Sequence, residues 1–162
     1  MESLIVMAGR EEMKILESLP SFFNSQPILI TGVGAINIIR LLSSLPKDTH
    51  LINIGYAGAK NIKIGTLVEV TEVKLNHPAI QYPEPELPLM PVQSVLEKSS
   101  LSLLKVPCYS STDFVSHSEY DHCVFDMELA YIAALGFPTT SIKMVSDNLS
   151  HEQYTAYAQP ID

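Results

Sequence analysis

Cysteine is nearly absent: only Cys108 and Cys123 occur among 162 residues, in no metal-type or redox-type spacing. That excludes a disulfide framework and fits a reducing compartment, with both thiols read as buried small apolar groups. Basic residues are also scarce, ten Lys plus Arg against eighteen Asp plus Glu, for a formal charge of −8. Scattered as they are, they form no stripe that could neutralise a phosphate backbone, so nucleic acid is excluded as a partner. No apolar run reaches the ~20 residues of a membrane span. The run "LIVM" at Leu4 is too short for a signal-peptide core. The expectation is a soluble, intracellular, cytoplasmic protein without a membrane partner. Two phosphate-binding signatures are missing as well. No G-K-[ST] occurs, and Gly32 and Gly34 lack the third glycine and the later acidic residue of a dinucleotide fingerprint.

What is present is a chain 46% hydrophobic, able to bury roughly 70% of its unfolded surface in one domain spanning residues 1–162. Short β-rich runs recur: "LIVM" at Leu4, "ILIT" at Ile28, "LINI" at Leu51, "TLVEV" at Thr66, "LLKVPCY" at Leu103 and "TSIKMV" at Thr140. Helical patterns fall between several of them, at 11–19, 36–45, more weakly 94–99, and 126–135, the last closed by Gly136 and Pro138. This alternation predicts an α/β layered fold. "LINI" reads as a strand covered on both faces, whereas the alternation in "TLVEVTEV" places that strand nearer an edge. Residues 76–91, rich in Pro and Glu, read as a long irregular excursion.

Three acidic positions carry the functional question, and each has an ordinary local explanation. Asp126 is a good N-cap, and Glu128 in a first helical turn interacts favourably with the helix dipole for ~0.3–1 kcal/mol. Asp147 follows a strand and suits an Asx-turn, while Ser150 with Gln153 is a capping-box pattern opening a last helix. Glu11 and Glu12 open the first helix. Yet all lie just past a strand or at the start of the next helix, the edge where open α/β sheets place ligands. Glycines in "TGVGAIN" and "NIGYAGA" fall at the same edge, where they let backbone approach a ligand. The donors His117, Asp121, His122 and Cys123 in "HSEYDHC" match no zinc spacing and are read as a solvated loop, so no metal site is expected. His50, His77 and His151 stand alone and receive no role.

In order along the chain, "AGREEMKIL", "ITGVGAINI", "LINIGYAGA" with "IGTLVEV", "SSTDFV", "VFDMELAYIAALG" and "SIKMVSDN" resemble the nucleoside phosphorylase/nucleosidase superfamily. They are most similar to its 5′-methylthioadenosine/S-adenosylhomocysteine nucleosidase branch. The resemblance implies a three-layer α/β sandwich with a central mixed sheet, a homodimer, a small-molecule nucleoside as ligand and no cofactor. It also implies cleavage of a purine N-glycosidic bond by water. Glu12 would orient the water, Met127 would stack on the ribose and Glu128 would accept its hydroxyl hydrogens. Asp147 would protonate the purine, and Phe114 and Val115 would hold the base. Gly55 and Tyr56 of "GYAG", with Ser146 of the Ser-Asp motif, complete the substrate contacts.

Such a reaction needs an acid for a leaving purine and an anchor for an oxocarbenium-like sugar. Three positions depart from the family pattern. Tyr56 stands where a small hydroxyl residue is usual, Lys143 where an Arg precedes Ser-Asp, and Asn53 where phosphorylases tend to carry a phosphate-binding Arg. With only Arg10 and Arg40 in the chain, hydrolysis is favoured over phosphorolysis. Phosphorolysis using Arg10 or a neighbouring subunit, and a non-catalytic nucleoside-binding relative, are the alternatives.

Overall fold

The computed structural model describes residues 2–75, 87–96 and 101–159. All six apolar runs form strands: β1 (Ser3–Met7), β2 (Ile28–Ile30), β3 (His50–Gly58), β4 (Leu67–Leu75), β6 (Leu104–Ser110) and β8 (Thr139–Asp147). Two short strands were not legible in the sequence, β5 (Leu87–Pro88) and β7 (Val124–Asp126). Each is too brief to show a period. The helical patterns become a 3-10 helix over Arg10–Ser18, then α2 (Ala35–Leu42), a 3-10 turn over Val92–Ser94 and α3 (Leu129–Ala134). A short α1 (Ser21–Asn24) and the final α4 (His151–Ala158) complete the order. Of the expected excursion, 76–86 lies outside the described residues, as do residues 97–99 of the weak helix expected at 94–99.

The sheet is mixed, as expected. Parallel pairs join β1 to β2 and β3, β3 to β8, and β6 to both β4 and β7. Antiparallel pairs join β4 to β8 and to β5. One further antiparallel pair, Gly58 with Phe125, joins β3 to β7. Strands β3, β8, β4, β6 and β7 therefore close into a ring, and β1 and β2 extend from β3. Helices cover both faces of the extended part. Leu16, Leu19, Phe23 and Ala158 pack on one face with Ile5, Met7, Ile52 and Ile54, and Ile38, Leu42 and Ile132 pack on the other with Val6 and Leu51. On the other side the sheet closes around Val68, Val70, Val106, Val124 and Val145, so the expected open three-layer sandwich gives way to a mixed sheet that closes on itself.

Strand β4 does not lie at an edge: it pairs with β8, β6 and β5. The polar residue that suggested an exposed face, Glu69, is buried and accepts a hydrogen bond from the Val92 N–H at 2.9 Å. Period-2 alternation cannot distinguish a solvated carboxylate from one satisfied by a loop. The central strands β3 and β8, buried along their whole length, likewise match polar residues across the pair. His50 Nε2 lies 2.7 Å from the Thr140 hydroxyl, and the Ser141 hydroxyl donates to Asn53 Oδ1 at 2.8 Å. Asn53 thus has a structural partner inside the sheet.

Candidate active site

The C-terminal ends of β1, β2, β3, β7 and β8 meet at a cleft of about 330 Å³, within the usual range for small-molecule sites. Of the family-like segments, all but "IGTLVEV" send residues into it: Ala8 and Glu12, Val33, Tyr56, Phe114, Met127, and Asp147 among them.

Glu12 is placed by the first turn of the 3-10 helix. Its Oε1 accepts from the Ala8 N–H at 2.8 Å and the Gly9 N–H at 3.1 Å, and its Oε2 accepts from the Tyr56 N–H at 2.8 Å. These bonds immobilise the carboxylate. Burial still pushes its pKa up, opposed by the charge of Lys143 and by the backbone donors. Gly55 does not line the cleft; it sits behind Glu12. A Cβ there would meet the carboxylate at 2.5 Å and Lys143 Nζ at 3.3 Å, so the residue is a close-approach glycine.

Glu128 does not cap its own helix. It occupies the N-cap position of α3, but its side chain makes no cap bond. The Leu129 N–H donates instead to Asp126 Oδ2 at 2.9 Å, and the Ala130 N–H to the Ser110 hydroxyl at 2.9 Å. Released from capping, Glu128 Oε2 accepts from the Gly34 N–H across the cleft at 3.3 Å. Gly34 reaches it with φ +102°, a conformation that favours glycine. Burial and the Asp126 charge raise the Glu128 pKa from the usual 4.5 to about 8.

Asp147 owes its direction to a β-bulge. The β3–β8 register runs Ala57 with Val145 and then Gly58 with Asp147, leaving Ser146 without a partner. The extra residue breaks the strand's alternation, so Ser146 and Asp147 both line the cleft. The Ser146 hydroxyl donates to Asp147 Oδ1 at 2.8 Å and the Leu149 N–H donates to Oδ2 at 3.0 Å. The Asx-turn read from the sequence is therefore present, on a side chain that also faces the cavity. Burial raises the Asp147 pKa against these bonds.

One wall is aromatic. Phe114 meets His151 edge-on at 5.2 Å between ring centroids and Tyr154 at 6.1 Å. Val115 lines the cleft and packs on the buried Cys123, Phe125 and Leu149. Tyr56 packs edge-on against Tyr157 at 5.9 Å, and burial pushes its phenol up to about 12, so the hydroxyl stays protonated. His151 and Tyr154 were missed by the sequence reading, which left His151 without a role. The signal was available: Ser150 caps Gln153 at 3.2 Å, and that cap starts α4 immediately after Asp147.

A second omission is the buried Asp126–Lys143 ion pair, 3.0 Å apart, with side chains 1% and 2% exposed. Lys143 in "SIKMV" reads as an oddity in an apolar strand; a buried ammonium requires a counter-charge, and Asp126 supplies it. Among the described residues no group of three His, Cys, Asp or Glu gathers as a metal set, and no helix is long and apolar enough to cross a membrane.

A pH dependence of stability follows from Glu128. Its folded pKa lies above its unfolded value, so the folded state binds more protons between about pH 4.5 and about pH 8. The stability it contributes is full below pH 4.5 and is lost as pH rises through about 8. Urea titrations should show the wild type losing stability across this window, and Glu128→Gln should flatten that slope. An unchanged slope in the variant would remove Glu128 as its source.

No protein-family model and no curated protein matches the chain. Solved structures do. An S-adenosylhomocysteine nucleosidase from Streptococcus pyogenes, in complex with a methylthio-tubercidin, superposes with a TM-score of 0.72 at 17% identity, covering 99% of this chain and 91% of that one. A Chlamydia trachomatis MTAN gives 0.71 at 21% identity, covering 98% and 87%. A structure of that protein bound to adenine gives 0.69 at 22% identity, covering 98% and 87%. Nearly the whole of this chain, closed sheet and cleft together, has the fold of the 5′-methylthioadenosine/S-adenosylhomocysteine nucleosidases.

Proposed function

We propose that this protein is an N-ribosyl hydrolase that uses water to cleave the N-glycosidic bond of a purine nucleoside or 5′-thio-nucleoside. Its main support is the convergence of Glu12, Glu128 and Asp147 on one cleft with Phe114 at the wall, although local structure alone accounts for each of them separately in the sequence. The fold adds to this, since its solved neighbours hold adenine or MTA.

In this reading the purine stacks along Phe114 and the backbone of Val115 hydrogen-bonds it. Asp147, whose pKa burial raises, donates its proton to N7 as the bond breaks, help worth about 10²–10⁴-fold. Met127 covers the ribose face and Glu128 binds its hydroxyls, which fixes the reacting carbon. Glu12, held by three backbone donors, orients the water and stabilises the cationic sugar. Tyr56 and Ser146 border the same space.

Electrostatics favour water over phosphate. Apart from Glu128 and Asp147, the carboxylates of Glu11, Glu12, Asp113 and Asp126 line the cleft, and no described lining residue is Lys or Arg. Arg10 is exposed and Lys143 is buried behind Glu12, paired with Asp126. A phosphate dianion would enter against that field. Base release from 5′-methylthioadenosine should therefore be independent of added phosphate, with free 5-methylthioribose as the co-product. Strict phosphate dependence, with a sugar 1-phosphate formed, reassigns the protein as a phosphorylase. Binding without any base release reassigns it as a non-catalytic nucleoside binder.

The protein acts as one domain in the cytoplasm, a compartment suited to its two buried free thiols. It acts as a homodimer, and the exposed Val33, Ile36 and Ile39 on and beside α2 offer an apolar surface for a second copy.

A further inference from the structure

Four ionisable groups from four elements crowd the floor of the cleft: Glu12 from the 3-10 helix, Asp126 from β7, Glu128 ahead of α3 and Lys143 from β8. One cation among three buried carboxylates leaves an excess of negative charge that favours a proton on one of them. The donors decide which. Asp126 accepts from Lys143 Nζ at 3.0 Å, from the Leu129 N–H at 2.9 Å, from the Cys108 thiol at 3.4 Å and from the Ser110 hydroxyl. Glu12 accepts from three backbone N–H groups. Glu128 has a single donor among the described residues, the Gly34 N–H, at 3.3 Å.

We infer that the buried Asp126–Lys143 pair is a positioning couple that holds Asp126 as a permanent anion and thereby assigns the site's proton to Glu128. Resting on the nucleosidase reading, it specifies the form in which Glu128 meets the sugar. A neutral carboxyl offers one O–H donor and a carbonyl acceptor, and a vicinal diol presents a matching acceptor and donor. An ionised Glu128 offers only acceptors, beside another anion. The surroundings of Glu128 agree: burial raises its pKa most, Asp126 and then Glu12 add to the rise, and Lys143 and the Gly34 N–H oppose it, for a value of about 8. The Tyr154 phenol on α4, pushed up to about 12, remains neutral toward it. Asp126 itself is held below the usual carboxylate range by Lys143 and its hydrogen bonds, despite its burial.

The test is a carbon-13 NMR titration of the whole protein labelled at its glutamate carboxyls, with the Glu128 resonance identified by its loss in Glu128→Gln. In wild type that resonance should titrate about two or more units above an ordinary glutamate. In Asp126→Asn, where the Lys143 charge is freed to act on Glu128, its midpoint should fall by about two units. If Asp126→Asn does not fold, the double variant Asp126→Asn/Lys143→Met removes both charges together and should still lower the midpoint by about one unit. A wild-type resonance titrating with the surface glutamates, or a midpoint unmoved in the folded variant, overturns the inference. A second readout separates it from the functional reading. Affinity for 5′-methylthioadenosine should fall as pH rises through the Glu128 midpoint, and this limb should move down with the midpoint in Asp126→Asn. A midpoint that shifts as expected in a protein that binds no 5′-methylthioadenosine supports the couple and overturns the nucleoside reading.

Discussion

Asp147→Asn is expected to lower base release from 5′-methylthioadenosine by about 10²-fold or more while changing folding and nucleoside affinity little. The bulge that points Asp147 into the cleft is a backbone feature of β8 that the substitution leaves alone. Asn can still accept from the Leu149 N–H, and the Ser146 hydroxyl can turn to accept from its amide. What is lost is a proton at the site where the purine departs, an interaction made mainly in the transition state. The pH profile gives a second check. Wild-type activity requires protonated Asp147, so it should decline as pH rises through that group's raised pKa, and the residual activity of the variant should lack that limb. Unchanged turnover in the variant would leave Asp147 with only its Asx-turn.

Lys143→Met should produce the largest loss of stability, about 3–5 kcal/mol, because removing one partner of a buried ion pair strands the other. Asp126 would remain buried with Ser110, Cys108 and the Leu129 N–H as partners, but without its cation. The loss has a sign in pH. The paired Asp126 has a folded pKa below its unfolded one, so the pair's contribution is present above the unfolded value and fades as pH falls through the folded one. The gap between wild type and variant, measured by denaturant unfolding, should therefore narrow in acid. Asp126→Asn/Lys143→Met should recover part of the loss, since two neutral groups leave no stranded charge. Equal losses at all pH values, with no recovery in the double variant, would mean that Lys143 contributes packing rather than charge.

How far the sequence could be read depended on range. Strands β1, β3 and β8 were legible because each carries a short β-rich apolar run, "LIVM", "LINI" and the segment around Ile142, Met144 and Val145, in its buried part. The end of α3 at Gly136, with φ +88°, and the Ser150 cap of α4 were legible because both are chain-local events. The misreading of β4 as nearer an edge, and the failure of the local pattern to show where Glu128 points, share one cause. Glu69 and Glu128 find their donors at Val92 and Gly34, and no local pattern encodes a partner so distant.

By itself the sequence determined the α/β class, six of the eight strands and the motifs that mark one edge of the sheet, because burial period and turn chemistry act within a few residues. Tertiary structure alone decided that the sheet closes through Gly58 and Phe125, that a bulge turns Ser146 and Asp147 into the same cavity, and that Lys143 meets Asp126. It also brought His151 and Tyr154 to the wall beside Phe114. Strand closure, register shifts and charge pairing are set by contacts between segments remote in the chain, where each group's energy depends on a neighbour that only folding supplies.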